Sequence, residues 1–382
     1  DITDFVSQHK DDMAVMTVEN SSVNHAVAQQ RAVTGDGFDG GRTIMEAMAS
    51  KYGSGMALAN CNLARGNYVL PGERNDVPTF ARAQLITDPN RFALATHGSR
   101  GIVGAPGSAQ IDRARAVREQ IEQLSSHEPR GQNSALRQSY RDVRATVVGQ
   151  LEQSDLITKL MLMQDTPGGS LEDYDLETSP DLAELQSHFP ELAYDQLQTQ
   201  AAIAFLLVRY GVSCTVTFGP GDDPSTTPTG QLLTAPVAFD FSHGFHVGTQ
   251  AIRWSRTLKA LHGLIGLLKS QPHGDGSMWD SSLIYIATDF GRTKTIPAGS
   301  LFQFGSGHDL NNGVLLISPL LAGNRVYGGV DPDTCRTYGF DPTSGAPAPG
   351  SSMDIGHVYS AIAQALDIDD VAGRRDMSIM MR

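Results

Sequence analysis

Apolar and polar positions along the chain switch repeatedly between a strand-like and a helix-like period. MAVMTVEN (13–20) is a short apolar run with β-branched residues, which predicts a buried strand. SSVNHAVAQQRA follows as a turn into a helix, with Ser21, Ser22 or Asn24 as candidate caps. GRTIMEAMASKYG (41–53) sets Ile44, Met48 and Tyr52 on one helical face and stops at Gly53. MALANCNLA (56–64) reads as a further strand.

From Ser108 to about Met163 the strand pattern disappears. Ile111, Ala114, Val117, Ile121 and Leu124 keep helical spacing, HEPRGQN interrupts it, and Leu136 to Leu162 resumes it. This predicts a helical insertion or cap over 108–190, between two parts of an α/β domain at 1–107 and 191–382. Its arginine-rich face reads as solvated surface.

The alternation then returns. LAYDQLQTQAAIAFLLVRYG (192–211) is a helix ending at Gly211, and VSCTVTF (212–218) is a strand. A Pro/Gly/Thr loop leads to a strand expected at 236–241. Trp254, Leu258, Leu261, Ile265 and Leu268 mark the next helix. SLIYIATD (282–289) is nearly continuous in apolar residues, as in a strand buried on both faces. VLLISPLL (314–321) predicts another strand, and MDIGHVYSAIAQALDI (353–368) a closing helix. Strands alternating with helices predict a mostly parallel sheet flanked by helices.

Composition narrows the partners. The 382 residues are 40% hydrophobic and 19% charged, as in an ordinary globular protein. The net charge of -13 argues against a nucleic-acid partner, which clustered Lys and Arg would bind. It leaves room for a small anionic substrate where a metal inverts the local field. No apolar run reaches the roughly 18 residues of a membrane span. Cys61, Cys214 and Cys335 are far apart, allow one internal disulfide at most, and read as buried thiols.

The candidate chemistry gathers between Pro236 and Asp309. Asp240 and Asp289 each end a predicted strand, where open α/β sheets bind ligands. His243, His246 and the loop residue His308 accompany them. Carboxylates and imidazoles collected there suit a divalent ion such as zinc or calcium. The alternative is that Asp240 caps a turn and the histidines are exposed helix-start residues. DFGRT supplies a glycine for a turn and an Arg292 fork for an anion. A kinase reading of DFG fails, because no HRD loop precedes it.

The order RYGVSCTVTF, FDFSH, IYIATDFGRT, a Gly-His loop, LLISPLLAGNRVYGGVD and DIGHVYSAIAQALDID resembles the domain of unknown function 1501 family. These are bacterial, often exported, sulfatase-like relatives of the alkaline phosphatase superfamily. The match covers residues 190–370 and, more loosely, 12–60. The resemblance implies an alkaline phosphatase-like fold, a periplasmic or extracellular location and metal-dependent hydrolysis of a phosphate or sulfate ester. It implies one metal site from Asp240, His243 or His246, and His308, and a second drawing on Asp289. It places a nucleophile in the turn of Ser22, Asn24 and His25, with Arg292 on the ester.

The chain departs from that pattern. It has DFSH for a DTH-like element, Asp289 for a Glu, Phe290 where a ligand His is usual, and Asn24 where Ser is usual. The family's opening strand is absent before Asp1, which leads to the expectation of a cleaved segment or a partner chain in its place. The alternative reading is a non-catalytic relative with a structural or cell-surface binding role.

Overall fold

A computed structural model describes residues 2–64, 67–98, 100–101, 104–124, 134, 137–138, 140–141, 144, 147, 149–163, 165–166, 169–220, 239–293 and 305–382. The protein is mixed α/β. Two compact units divide it, one of residues 1–87 and 188–382, the other of residues 88–187.

In the larger unit the elements are α1 (Ile2–His9), β1 (Met13–Glu19), α2 (His25–Thr34), α3 (Ile44–Tyr52), β2 (Asn60–Asn62) and β3 (Gln84–Leu85). The smaller unit carries α4 (Ser108–Leu124). The larger unit continues with α5 (Gln196–Arg209), β4 (Thr215–Thr217), α6 (His246–Ser270), β5 (Ile284–Ile286), β6 (Gly291–Arg292), β7 (His308–Asp309), β8 (Asn311–Ile317), β9 (Arg325–Tyr327) and α7 (Ile355–Ala365).

The main sheet runs β9–β1–β8–β5. Alternation along β1 turns Ala14, Met16 and Val18 into a core with Val314 and Leu316 of β8 and with Ile355, Val358 and Ile362 of α7. Each of these side chains larger than Ala14 contributes roughly 1.5–3 kcal/mol by leaving water. The register is unbroken from Met13 opposite Ile317 to Glu19 opposite Asn311. A separate small sheet, β3–β2–β4, is parallel throughout.

The expected mostly parallel sheet needs correcting for the main sheet. β1 pairs with β8, and β8 with β5, antiparallel; only β1 with β9 is parallel. A parallel pair needs a long crossover, usually a helix. The described part of the link from β5 to β8 is instead the short antiparallel ribbon β6–β7. A second correction concerns 236–241. Residues 236–238 lie outside the described set, and Phe239–His243 form a 3-10 helix, so Asp240 does not end a strand. The Phe241 carbonyl accepts from the N–H groups of both Gly244 and Phe245, which winds this segment straight into α6.

Helix ends follow the sequence closely. Asn24 caps α2, its side chain accepting from the Val27 N–H at 3.2 Å. Thr43 and Glu46 form a reciprocal capping box on α3. The 88–187 unit has its own core of Leu156, Ile157, Leu160, Met161 and Leu185. Its arginines answer its own acids, Arg144 to Glu122 at 2.8 Å and Arg115 to Glu152 at 2.6 Å. All three cysteines are free thiols. No described helix is long and apolar enough to cross a membrane.

One buried ion cluster ties the start of α3 to the C-terminal tail. Asp39 is fully buried, bonds Arg42 Nε at 2.6 Å and Arg74 Nη1 at 2.9 Å, and accepts from the Ala372 N–H. Removing one partner of such a cluster strands the other charge in a dry site. Asp39→Ala is therefore expected to cost about 3–5 kcal/mol in urea unfolding, far more than the exposed control Asp367→Ala. Equal small losses for both would contradict the cluster's role.

His9 gives a pH signature. Burial, then the neighbouring His262 and Lys269, lower its pKa from 6.5 to about 4. Its Nε2 lies 2.9 Å from His262 Nδ1. Between pH 6.5 and 4 the unfolded chain binds a proton that folded His9 refuses, so stability falls as pH drops through that window. Roughly 2–3 kcal/mol is expected to be lost there, and His9→Leu should flatten that part of the stability curve. An unchanged curve in the variant would refute the assignment.

Candidate functional site

The β1–β8 register decides what meets at one end of the main sheet. β1 ends at Glu19 opposite Asn311, so the chain leaving β1 lies beside the chain entering β8. β5 runs antiparallel to β8 and ends at the same side. From these three exits come His25, His308 and Asp289. The backbone at Asn20 locks the junction, its N–H bonding the Leu310 carbonyl at 2.7 Å. The Asn20 side-chain amide donates to the Asp289 carbonyl.

Ligand atoms of His25, His243 and His308 all lie within 4.8 Å of one another. His308 Nε2 and His243 Nε2 are 3.0 Å apart. Two nitrogens on one tetrahedral zinc would stand about 3.3 Å apart, given bonds of about 2.0–2.1 Å. The spacing fits a single ion after small adjustment.

The outer hydrogen bonds set the tautomers. His308 Nδ1 is 2.8 Å from the Val23 carbonyl, which can only accept, so Nδ1 carries the proton and Nε2 the lone pair. His25 Nδ1 meets Asp289 Oδ2 at 2.5 Å, which makes Nε2 the ligating nitrogen. A carboxylate or carbonyl behind each imidazole is the usual support of a metal-binding histidine. Burial, and then the charges of His25, Arg292 and His243, lower the His308 pKa, which favours its neutral, ligating form.

Phe290 forms the floor. It is buried, with its ring centroid 4.1 Å from that of His308 and 4.6 Å from that of His25. Gly291 follows because a Cβ there would stand 1.7 Å from the Asn311 carbonyl oxygen. The glycine thus permits a close backbone approach, where a sharp turn was expected. Arg292 reaches the rim, with Nη1 3.2 Å from His243 Nε2.

The structure therefore brings together His25, His243, His308, Asp289 and Arg292. His25, expected beside a nucleophile, sits among the candidate ligands. Asp289 stands behind His25 as its hydrogen-bond partner. Asp240 lies in the 3-10 helix before His243, and its side chain is outside the described residues. His246 opens α6, is not in the three-imidazole cluster, and has a buried Nδ1 with no partner among the described residues. Burial and then Arg292 lower its pKa. Ser22 and Asn24 serve the helix start, Ser22 Oγ accepting from the Asn24 N–H at 3.1 Å and Asn24 capping α2. Asn20 was not singled out from sequence, because a polar loop residue carries no spacing signal, and Phe290 was read there only as a departure where a ligand His is usual, not as the floor of the site.

No protein-family model, curated protein or solved structure matches the chain. Three imidazoles are a donor set for zinc and related ions, whereas calcium takes oxygen ligands.

Zinc titration at neutral pH, read by competition with a chromophoric chelator, is expected to show one ion per chain. His25→Ala, His243→Ala and His308→Ala should each abolish it, and Asp289→Asn should weaken it roughly 10–100-fold. His246→Ala should leave it intact. Equal binding by the triple-imidazole variants and the parent would remove the site.

Proposed function

We propose that this is a zinc-dependent hydrolase acting on a small anionic ester, a phosphate or sulfate ester being the class considered. One observation carries the reading: three imidazoles converge, two with an oxygen acceptor on Nδ1, beside an arginine fork. Catalytic zinc sites keep three protein ligands and an open position, and His25, His243 and His308 would make such a set. A bound zinc ion would supply Lewis acidity and lower the pKa of water at the open position.

The protein's own groups do the remaining work. Asp289 holds the His25 ring and its tautomer through a charge-assisted bond. Phe290 walls the inner side of the rings and excludes water there. Arg292, on the rim, is placed to pair an ester oxygen through its planar guanidinium. That cation also opposes a metal ion on its own, so an anion between the two is the arrangement that relieves the repulsion.

A second reading has a specific observation behind it. Ser22 and Asn24, the residues where a protein nucleophile was expected, are engaged in local turn and cap bonds. Direct attack by water would accommodate this. So would a non-catalytic metal-binding protein in a structural or cell-surface role.

The zinc-loaded protein is expected to hydrolyse 4-nitrophenyl phosphate or sulfate. His243→Ala should abolish turnover, and Arg292→Ala should lower kcat/KM roughly hundredfold while zinc stays bound. One zinc per chain without turnover above the buffer rate would favour the second reading.

A further inference from the structure

A pair of imidazoles outside the candidate metal site ties α1 to α6. The sequence of α1, ITDFVSQH, buries two side chains, Phe5 and His9. They stand four residues apart and so share one helical face. Their rings pack against each other with centroids 4.6 Å apart. Ile2 and Val6 stay exposed. At the end of this face His9 Nε2 meets His262 Nδ1 of α6 at 2.9 Å.

The contact depends on the protons the two rings carry. A hydrogen bond between ring nitrogens needs one N–H and one lone pair. With both rings protonated, His9 Nε2 and His262 Nδ1 are both donors, and repulsion replaces the bond. Charging His9 alone is costly as well, since its Nδ1 is buried and has no acceptor among the described residues. The titratable groups acting on His9 are His262 and Lys269 of α6, which oppose its charge, and Asp12, which favours it. Asp12 is engaged elsewhere, its carboxylate accepting from Lys269 Nζ and Trp279 Nε1, each at 3.2 Å.

The chain just beyond α1 is pinned independently. The Lys10 carbonyl accepts from the Asn324 N–H at 2.7 Å, and the Asp12 carbonyl from the Ser318 N–H at 2.8 Å. The β1 ladder begins at the next residue, Met13. α1 itself has eight residues, and a helix that short is marginal in water without packing.

We propose that α1 is an acid-released element: protonation of the His9–His262 pair detaches α1 from α6 and unwinds it, with the pivot at Lys10, while β1 and the main sheet stay folded. Release uncovers the face of α6 around His262. The window follows from His9, whose pKa is lowered from 6.5 to about 4 by burial and then by His262 and Lys269. Released His9 binds a proton that docked His9 refuses, so opening is favoured as pH falls from 6.5 towards 4. The opening constant is expected to rise roughly a hundredfold across that window.

Hydrogen exchange on the whole chain, corrected for the pH dependence of intrinsic exchange, reads this directly. Protection over residues 2–9 is expected to fall roughly a hundredfold from pH 6.5 to 4, while residues 14–18 keep theirs. Constant protection over 2–9, or a parallel fall over 14–18, would overturn local release. His9→Phe keeps an aromatic ring on the buried face without a titrating group, so protection over 2–9 should hold across the window. His262→Gln leaves His9 a neutral hydrogen-bonding partner and removes one opposing charge, so the fall should shrink. An unchanged fall in either variant would remove the imidazole pair as the trigger.

Discussion

The seven-residue ladder between β1 and β8 is the constraint on which the rest of this structure depends. Its inner face supplies Ala14, Met16, Val18, Val314 and Leu316 to the main core. Its far end fixes Glu19 against Asn311, and with it the loops that carry His25 and His308. A slip of one residue would turn the buried row of β1 outward. It would also pull the two imidazoles out of step. Stability and site geometry are therefore set by the same hydrogen bonds.

That coupling explains why the site is rigid where it needs to be. Asn20 bridges two loops, bonding Leu310 through its backbone and Asp289 through its side chain. His25 begins α2 directly after the Asn24 cap, so its position follows from a helix end and not from a mobile loop. Gly291 lets the Asn311 carbonyl pass close beneath Phe290, which brings the aromatic floor up against two rings. His243 enters from the 3-10 turn before α6, whose Ser242 carbonyl accepts from the Ser306 N–H at 2.9 Å. Each imidazole thus has a backbone reason for its place.

Much of this was legible in the sequence, for physical reasons that differ by element. The helices at 44–52, 196–209, 246–270 and 355–365 declared themselves through periodicity and caps, as did the strands around 13–19, 284–286 and 311–317. Strand direction was not legible. Helix–strand alternation suggests crossovers, but pairing direction depends on which strands become neighbours, and β8 is reached through a ribbon. The segment around Asp240 misled because VAFDFS alternates like a strand while the FSHG turn winds the chain into α6. Asp289, His243 and His308 were visible as a set, since strand ends collect functional groups. That His25 joins them as a candidate ligand could not be read, because it lies more than two hundred residues away and only the ladder brings it near.

A cavity of about 1490 Å³ inside the larger unit and the imidazole cluster meet at Asp289, and the meeting has a consequence. Asp289 is both the hydrogen-bond partner of His25 and part of the cavity lining that follows β5. The pairing of Ile284, Tyr285 and Ile286 with β8 holds this strand in place and, through the few residues that follow, the carboxylate that orients His25. The cavity wall and the candidate metal site therefore share one mechanical element, the C-terminal end of β5, so a change that loosens the β5–β8 pairing is felt at the His25 tautomer as well as in the core.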